Sequence, residues 1–277
     1  MKDEISRECV GPLYQLPPVL WLVIESFLPP EKPKPKGGRP RESDLKMMTA
    51  IFYLLRTGCQ WKAIPRCLGA SSTVHDRFKE WVKQGIFEKA FRAGLIFFDD
   101  LKGIDWEWQA MDGAMTKSPL GMEDTGANPT DRGKKGVKRS ILSEGHGVPI
   151  GVVVAPANRN DMKLTEATLR SIVIKRPDPE IIPQNMGMDK GYDFPEVRQI
   201  VEQWGYTAHI KSRGKEKEEK RMIPGYRARR WVVEATHSWM NRFRRLLIRW
   251  EKKSENYLAM VHLSCAFICL HAAGVFG

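Results

Sequence analysis

The sequence predicts an α/β protein, a mixed β-sheet covered by helices on both faces and preceded by a small all-α part. Three observations predict it. Up to about residue 84 the apolar residues recur at intervals of three and four, whereas from about residue 105 they fall into short apolar runs broken by turn residues. Those runs read in the order β-β-β-α-β-α-β-α, and three strands joined by short turns, then strands alternating with helices, need a sheet packed on both sides. A stretch rich in Pro, Gly and Lys, within 29–42, has no apolar periodicity and reads as an extended linker. The expected organisation is an N-terminal helical part over 1–104 and a sheet-containing part over 105–277.

Taken in order, the apolar run Val19–Leu28 forms a first helix ending at Pro29-Pro30. Acidic residues precede it and no small-residue cleavage site follows, so it is not expected to be a targeting segment. Ser43-Asp44 opens a second helix, in which Leu45, Met48, Ile51, Phe52 and Leu55 form one apolar face up to Gly58. After a turn over Trp61–Pro65, Ser71 and Ser72 are expected to cap a third helix, with Val74, Phe78 and Trp81 inward and His75, Arg77, Lys79 and Lys83 outward. Helix, turn and basic-faced helix fit a helix-turn-helix unit, although many helical bundles share the pattern. Strands are expected over Trp106–Gly113, Gly136–Ser143 and Val148–Ala157, then a helix over Lys163–Val173, a strand over Asn185–Asp189, a helix over Pro195–Trp204 and a strand over Tyr206–Lys211. A long helix, about Arg227–Trp250, and an apolar C-terminal helix complete the order. The last 20 residues lack Asp, Glu, Lys and Arg, but His262, Ser264, His271 and Gly274 dilute them, so a buried core helix is expected rather than a membrane span.

Charge indicates the partner. The chain has 277 residues, with 45 Lys and Arg against 33 Asp and Glu, a formal net charge of +12. Residues 211–253 alone hold 15 basic residues and five Glu. Two smaller basic groups surround Lys134, Lys135 and Lys138, and Lys32, Lys34 and Lys36. Concentrated positive charge of this kind suits a polyanion, and nucleic acid is the expected partner. The five cysteines, Cys9, Cys59, Cys67, Cys265 and Cys269, show no zinc-binding spacing and are read as reduced thiols of a cytoplasmic protein.

The residues that carry chemistry are acidic. Asp112 and Asp189 stand at the ends of the first and fourth predicted strands, and two carboxylates at one sheet edge repel unless a divalent cation lies between them. Glu234 is the third candidate. On the helical wheel Arg230, Glu234, His237, Asn241 and Arg244 lie opposite a face expected to bury Trp231, Val232, Ala235 and Trp239, with Trp250 also expected in the core. Carboxylates of this kind can hold two hard cations that activate one oxygen of a phosphodiester and stabilise the other. Asp161 and Asp193 read as helix caps, with a supporting polar role second for Asp161. His237 is open to two readings, a substrate or metal contact and a satisfied polar-face histidine.

Five motifs, Met111-Asp-Gly113, Asn128–Gly136, Ala157–Asp161, Met188-Asp-Lys-Gly-Tyr192 and Arg229–Phe243, together resemble the DDE transposases of bacterial insertion sequences, in particular the insertion-sequence-five family related to the Harbinger elements. Gly37–Pro40, Leu55–Pro65 and Ser72–Phe78 are similar to that family's leader domain, and the resemblance runs from about residue 10 to the C-terminus. It implies an RNase H-like catalytic domain in which Asp112, Asp189 and Glu234 bind two Mg²⁺ ions, with Mn²⁺ able to substitute. It also implies cleavage at terminal inverted repeats, 3′-OH strand transfer into target DNA, a homodimer on paired DNA ends and a bacterial, nucleoid-associated setting. The 44 residues between Asp189 and Glu234 leave no room for a large inserted domain. Arg227 and Asn241 depart from the family's pattern around the glutamate, where Tyr and Lys are expected. Arg230, Lys134, Lys135, Lys138, His237, Arg242, Arg77 and Lys79 are the expected DNA contacts. A DNA-binding protein without catalysis and an RNase H-like nuclease without strand transfer are the alternatives.

Overall fold

The computed structural model describes residues 9–31, 37, 40–210 and 231–276. Four helices lead: α1 (Pro18–Glu25), α2 (Asp44–Thr57), α3 (Ser71–Lys83) and α4 (Ile86–Lys102). Leu20 and Ile24 of α1, the apolar face of α2, and Val74, Phe78 and Trp81 of α3 are buried, as the periodicity predicts. Helix α3 starts at Ser71, but Ala70 holds the N-cap position and no side chain caps the helix. Gly58 ends α2 at a left-handed φ of 70°, its N–H donating to the Leu54 carbonyl. A Cβ on Gly58 would also lie 3.0 Å from the Arg244 backbone, so both conformation and space call for glycine.

The sheet follows. Strands β1 (Trp108–Lys117), β2 (Gly126–Ala127), β3 (Lys135–Glu144) and β4 (Pro149–Pro156) come first, then α5 (Thr165–Arg170), β5 (Gln184–Met188), α6 (Pro195–Gln203) and β6 (Tyr206–Ile210). The main order is β4-β3-β1-β5-β6, with short β2 beside the start of β3. β1, β3 and β4 are antiparallel neighbours, whereas β5 lies parallel to both β1 and β6. An antiparallel meander continued by two parallel strands, with helices on both faces, is the RNase H-like arrangement.

Each face has its own cover. On one, α5 docks through Thr168 Oγ1, which donates to Ser140 Oγ (2.7 Å). On the other lies α7 (Trp231–Asn241), followed by the short α8 (Arg244–Leu247) and by α9 (Ser254–Ala272). Helix α9 packs along α4 so closely that a Cβ on Gly94 would sit 3.1 Å from the Ala266 carbonyl oxygen. The helical leader and the sheet-containing part therefore share one continuous hydrophobic core. As expected, α9 is a buried core helix, and no described helix is long and apolar enough to cross a membrane.

Three expectations need correction. The chain does not run as one helix to Trp250: Phe243 turns extended (ψ 96°), separating α7 from α8, and Ile248 then makes a parallel bridge to Lys117 of β1. Residues 227–230 lie outside the described residues. The buried stripe of α7 is Val232, Val233, Thr236, His237 and Met240, while Trp231 and Trp250 are 43% and 41% exposed. A wheel carried across the break took its phase from the tryptophans, and it missed polar side chains that bond to the sheet. Finally, Cys9 and Cys67 form a disulfide. Cys265 and Cys269 are buried free thiols and Cys59 is half-buried.

Candidate active site

The sheet brings the two aspartates to one level. β1 and β5 run in parallel register from Trp108 opposite Asn185 to Ala110 opposite Gly187. Two residues further along each strand stand Asp112 and Asp189, where β5 has ended and the strands part. Backbone N–H groups orient both carboxylates: Asp112 Oδ1 accepts from Gly113 N (2.8 Å), and Asp189 Oδ1 accepts from Gly191 N (2.8 Å) in the turn after β5.

Tyr192 lies beneath this edge and is 1% exposed. Burial pushes its hydroxyl pKa well up, and the nearby charges of Asp161, Asp112 and Asp189 push it further in the same direction, so it stays protonated. The charges of three aspartates from three parts of the chain thus act on one buried hydroxyl. Asp161 also sits over β1, where a Cβ on Gly113 would collide with its Oδ1, and its Oδ2 accepts from Lys138 Nζ at 2.8 Å. Asp161 is therefore the half-buried partner of the buried Lys138 rather than a helix cap. The cap belongs to Asn160, whose side chain accepts from Met162 N.

Helix α7 carries Glu234 and is held by directional bonds. Thr236 Oγ1 lies 2.7 Å from Ser143 Oγ of β3 and donates to the Gly147 carbonyl (2.5 Å), while Arg139 Nη2 of β3 donates to Asn241 Oδ1 (3.1 Å). Between these anchors the His237 ring lies against the Asp112 backbone. Neither ring nitrogen closes a hydrogen bond of ordinary geometry. Burial, reinforced by the Arg139 charge, lowers the His237 pKa to about 3, so the ring is neutral. Glu234 is exposed one turn earlier on α7. No three His, Cys, Asp or Glu side chains among the described residues converge closely enough to enclose a metal ion.

Several expected DNA contacts are buried. Lys138 is buried against Asp161 and the Arg159 carbonyl. Arg77 is buried and ion-paired with Asp44, with Glu80 Oε2 3.6 Å away and its guanidinium over Trp81. His237 is likewise enclosed. A buried charge needs a partner, and Asp161 and Asp44 lie far from Lys138 and Arg77 in sequence, so basic character alone could not reveal the burial. Lys134, Lys135 and Arg242 are exposed, as is Lys79, which pairs with Asp76. Arg230 and the basic segment 211–230 lie outside the described residues. Tyr192 was missed as a site residue; its only signal was its place three residues after Asp189.

The fold is that of an RNase H-like protein, and comparison with known proteins narrows that class. Residues 16–91 match a family described as "Putative transposase of IS4/5 family", and residues 186–271 match "Transposase DDE domain". A Burkholderia cepacia protein named "Putative transposase for insertion sequence element IS402" is 35% identical over 153 residues, which is 54% of this chain and 70% of that protein. An uncharacterized 16.2 kDa protein of the IS402 insertion element from the same organism is 28% identical over 114 residues, 40% of this chain and 78% of that protein. Among solved structures, a Mos1 transposase paired-end complex with left transposon end is 16% identical, at a TM-score of 0.30 and coverage of 90% and 82%, a likeness too loose to carry an argument. The chain belongs to the IS4/5 family of DDE transposases.

Proposed function

We propose that the protein cuts DNA at the terminal inverted repeats of its element and joins the freed 3′-hydroxyl to target DNA, with Asp112, Asp189 and Glu234 as its metal-binding acids. The observation that carries this reading is the parallel register that brings Asp112 level with Asp189 where β1 and β5 part. Carboxylate oxygens suit a hard divalent cation, Mg²⁺ or Mn²⁺, and the paired acids offset their repulsion by sharing one. Two such ions, when bound, activate the attacking oxygen and stabilise the leaving one. The chain's own residues set up the edge. Gly113 and Gly191 N–H groups aim the carboxylates, Lys138 balances the charge of Asp161 so that it adds little to the edge, and α7 presents Glu234.

DNA would approach across the exposed Lys134, Lys135 and Arg242 and across Lys79 on α3, with Arg230 and the 211–230 segment adding phosphate contacts. A helical leader over 1–104 would hold the transposon ends for a catalytic part over 105–277, and coupled joining of two ends calls for a homodimer on DNA. The test uses purified protein, Mg²⁺ or Mn²⁺ and duplexes carrying the element ends. Asp112→Asn, Asp189→Asn and Glu234→Gln should each abolish cleavage and strand transfer while retaining DNA binding. Cleavage retained in one variant removes that acid from the site. Hydrolysis without joining of pre-cut ends would favour a nuclease, and binding without any product a binding-only protein.

A further inference from the structure

We propose that a cavity between α3, the turn after α2 and the strap 245–256 takes one unstacked nucleotide, its base against Trp61 and Trp250 and its phosphates on Lys79, Lys252 and Lys253. The inference rests on the DNA-cutting reading for the source of its ligand, but it uses none of the three acids.

The cavity is about 790 Å³, within the usual size for a small-ligand site, roughly 300–1,000 Å³. Its aromatic wall is assembled in advance. The Trp61 ring packs edge-on to His75 (centroids 4.7 Å apart) and tilted against Phe78 (5.4 Å). Arg245 lies over the Trp61 ring at 6.0 Å, held by Glu251 Oε1 (2.7 Å) and the Cys59 carbonyl (3.0 Å). Burial, with Lys79 adding to it, lowers the His75 pKa, so that ring is a neutral extension of the wall. Across the cavity Trp250 is 41% exposed, a large flat surface with no place in the core.

Charge selects the occupant. The lining holds four cations and one carboxylate, Glu251, which is already engaged by Arg245. Lys79, Lys252 and Lys253 remain on the rim and exposed. Lys79 pairs with Asp76 and Lys253 with Glu255, but both are surface contacts that a phosphate can displace. Aromatic faces edged by lysines are the combination that holds single-stranded nucleic acid, because every base has a face to stack and every nucleotide a phosphate. A base still paired and stacked in a duplex cannot insert between Trp61 and Trp250, so the occupant is an unpaired nucleotide, such as one at a frayed or nicked end.

The experiment uses the full chain with two probes, single-stranded hexadeoxyadenylate and a blunt duplex. The single strand should quench tryptophan emission and protect Cys59, the cysteine lining the cavity, from iodoacetamide in peptide mapping. Trp250→Ala should weaken single-strand binding about tenfold and leave duplex binding unchanged; Lys252→Glu, which touches no core packing, should do the same. Absence of quenching and protection in the unaltered protein, or equal weakening for both probes, overturns the proposal. If Trp250→Ala instead changes the mass in solution and spares single-strand binding, the cavity is a contact between two copies, and the nucleotide site falls. Metal-dependent cleavage of element ends is read separately. Cleavage without single-strand protection sinks the cavity alone, whereas protection without cleavage sinks the DNA-cutting reading and leaves the cavity.

Discussion

Two helices cover the same face of the sheet by different means. Helix α9 is apolar around most of its circumference and is fixed by packing, with Leu263, Ala266 and Leu270 fully buried and Gly94 of α4 almost touching its backbone. Helix α7 is placed by directional bonds from Thr236 and Asn241 to the sheet, and its outer side carries Glu234. Apolar area is strong but non-directional, whereas a short hydroxyl or guanidinium bond specifies rotation and register. Stability is therefore concentrated in α9 and geometry in α7.

Changes to the packed helix should cost most. Leu263→Ala removes a fully buried side chain and should destabilise the protein by about 2–5 kcal/mol, read as a lower urea midpoint. Acid acts next on the same helix. His262 is stacked on Phe91, and burial lowers its pKa to about 4. The unfolded chain, titrating near the ordinary 6.5, then binds more protons than the folded one. This stabilisation is complete above about 6.5 and is lost as pH falls toward about 4, reaching roughly 2 kcal/mol by pH 5. His262→Phe should flatten that part of the stability-versus-pH curve, and an unchanged slope would show that the ring is not held neutral.

The bonded helix should respond differently. Thr236→Val keeps the shape but strands Ser143 Oγ and the Gly147 carbonyl, at a cost of about 1–3 kcal/mol. Metal-dependent cleavage at a temperature where the variant is fully folded should fall further than its stability implies. Equal loss in both would erase the contrast between the helices. Least of all, Glu166→Ala breaks an exposed pair with Arg170 and should stay within about 0.5 kcal/mol. A larger change would mean that surface pairing contributes more than the helix comparison allows.

The same contrast explains what was legible in the sequence. Strand and helix positions emerge from short-range periodicity, and Asp112 and Asp189 stand out as acids ending apolar runs. Burial of Lys138 and Arg77 was illegible because Asp161 lies 23 residues from the first and Asp44 lies 33 from the second. The face of α7 was misread because polar Thr236 and His237 point inward, where bonds and ring packing to β-sheet residues outweigh the hydropathy of Trp231. Helix α4 was not anticipated at all, although it provides the groove for α9.

The bridge between Ile248 and Lys117 extends further than its single pairing suggests. Arg249 N also donates to the Lys117 carbonyl at 2.8 Å, a few residues upstream Arg244 abuts Gly58 at the end of α2, and Arg245 donates to the Cys59 carbonyl. One short strap is thus pinned at one end to the strand that bears Asp112 and at the other to the helical leader. The strap ties the end of α2 directly to β1, a second link between leader and sheet besides the core they share.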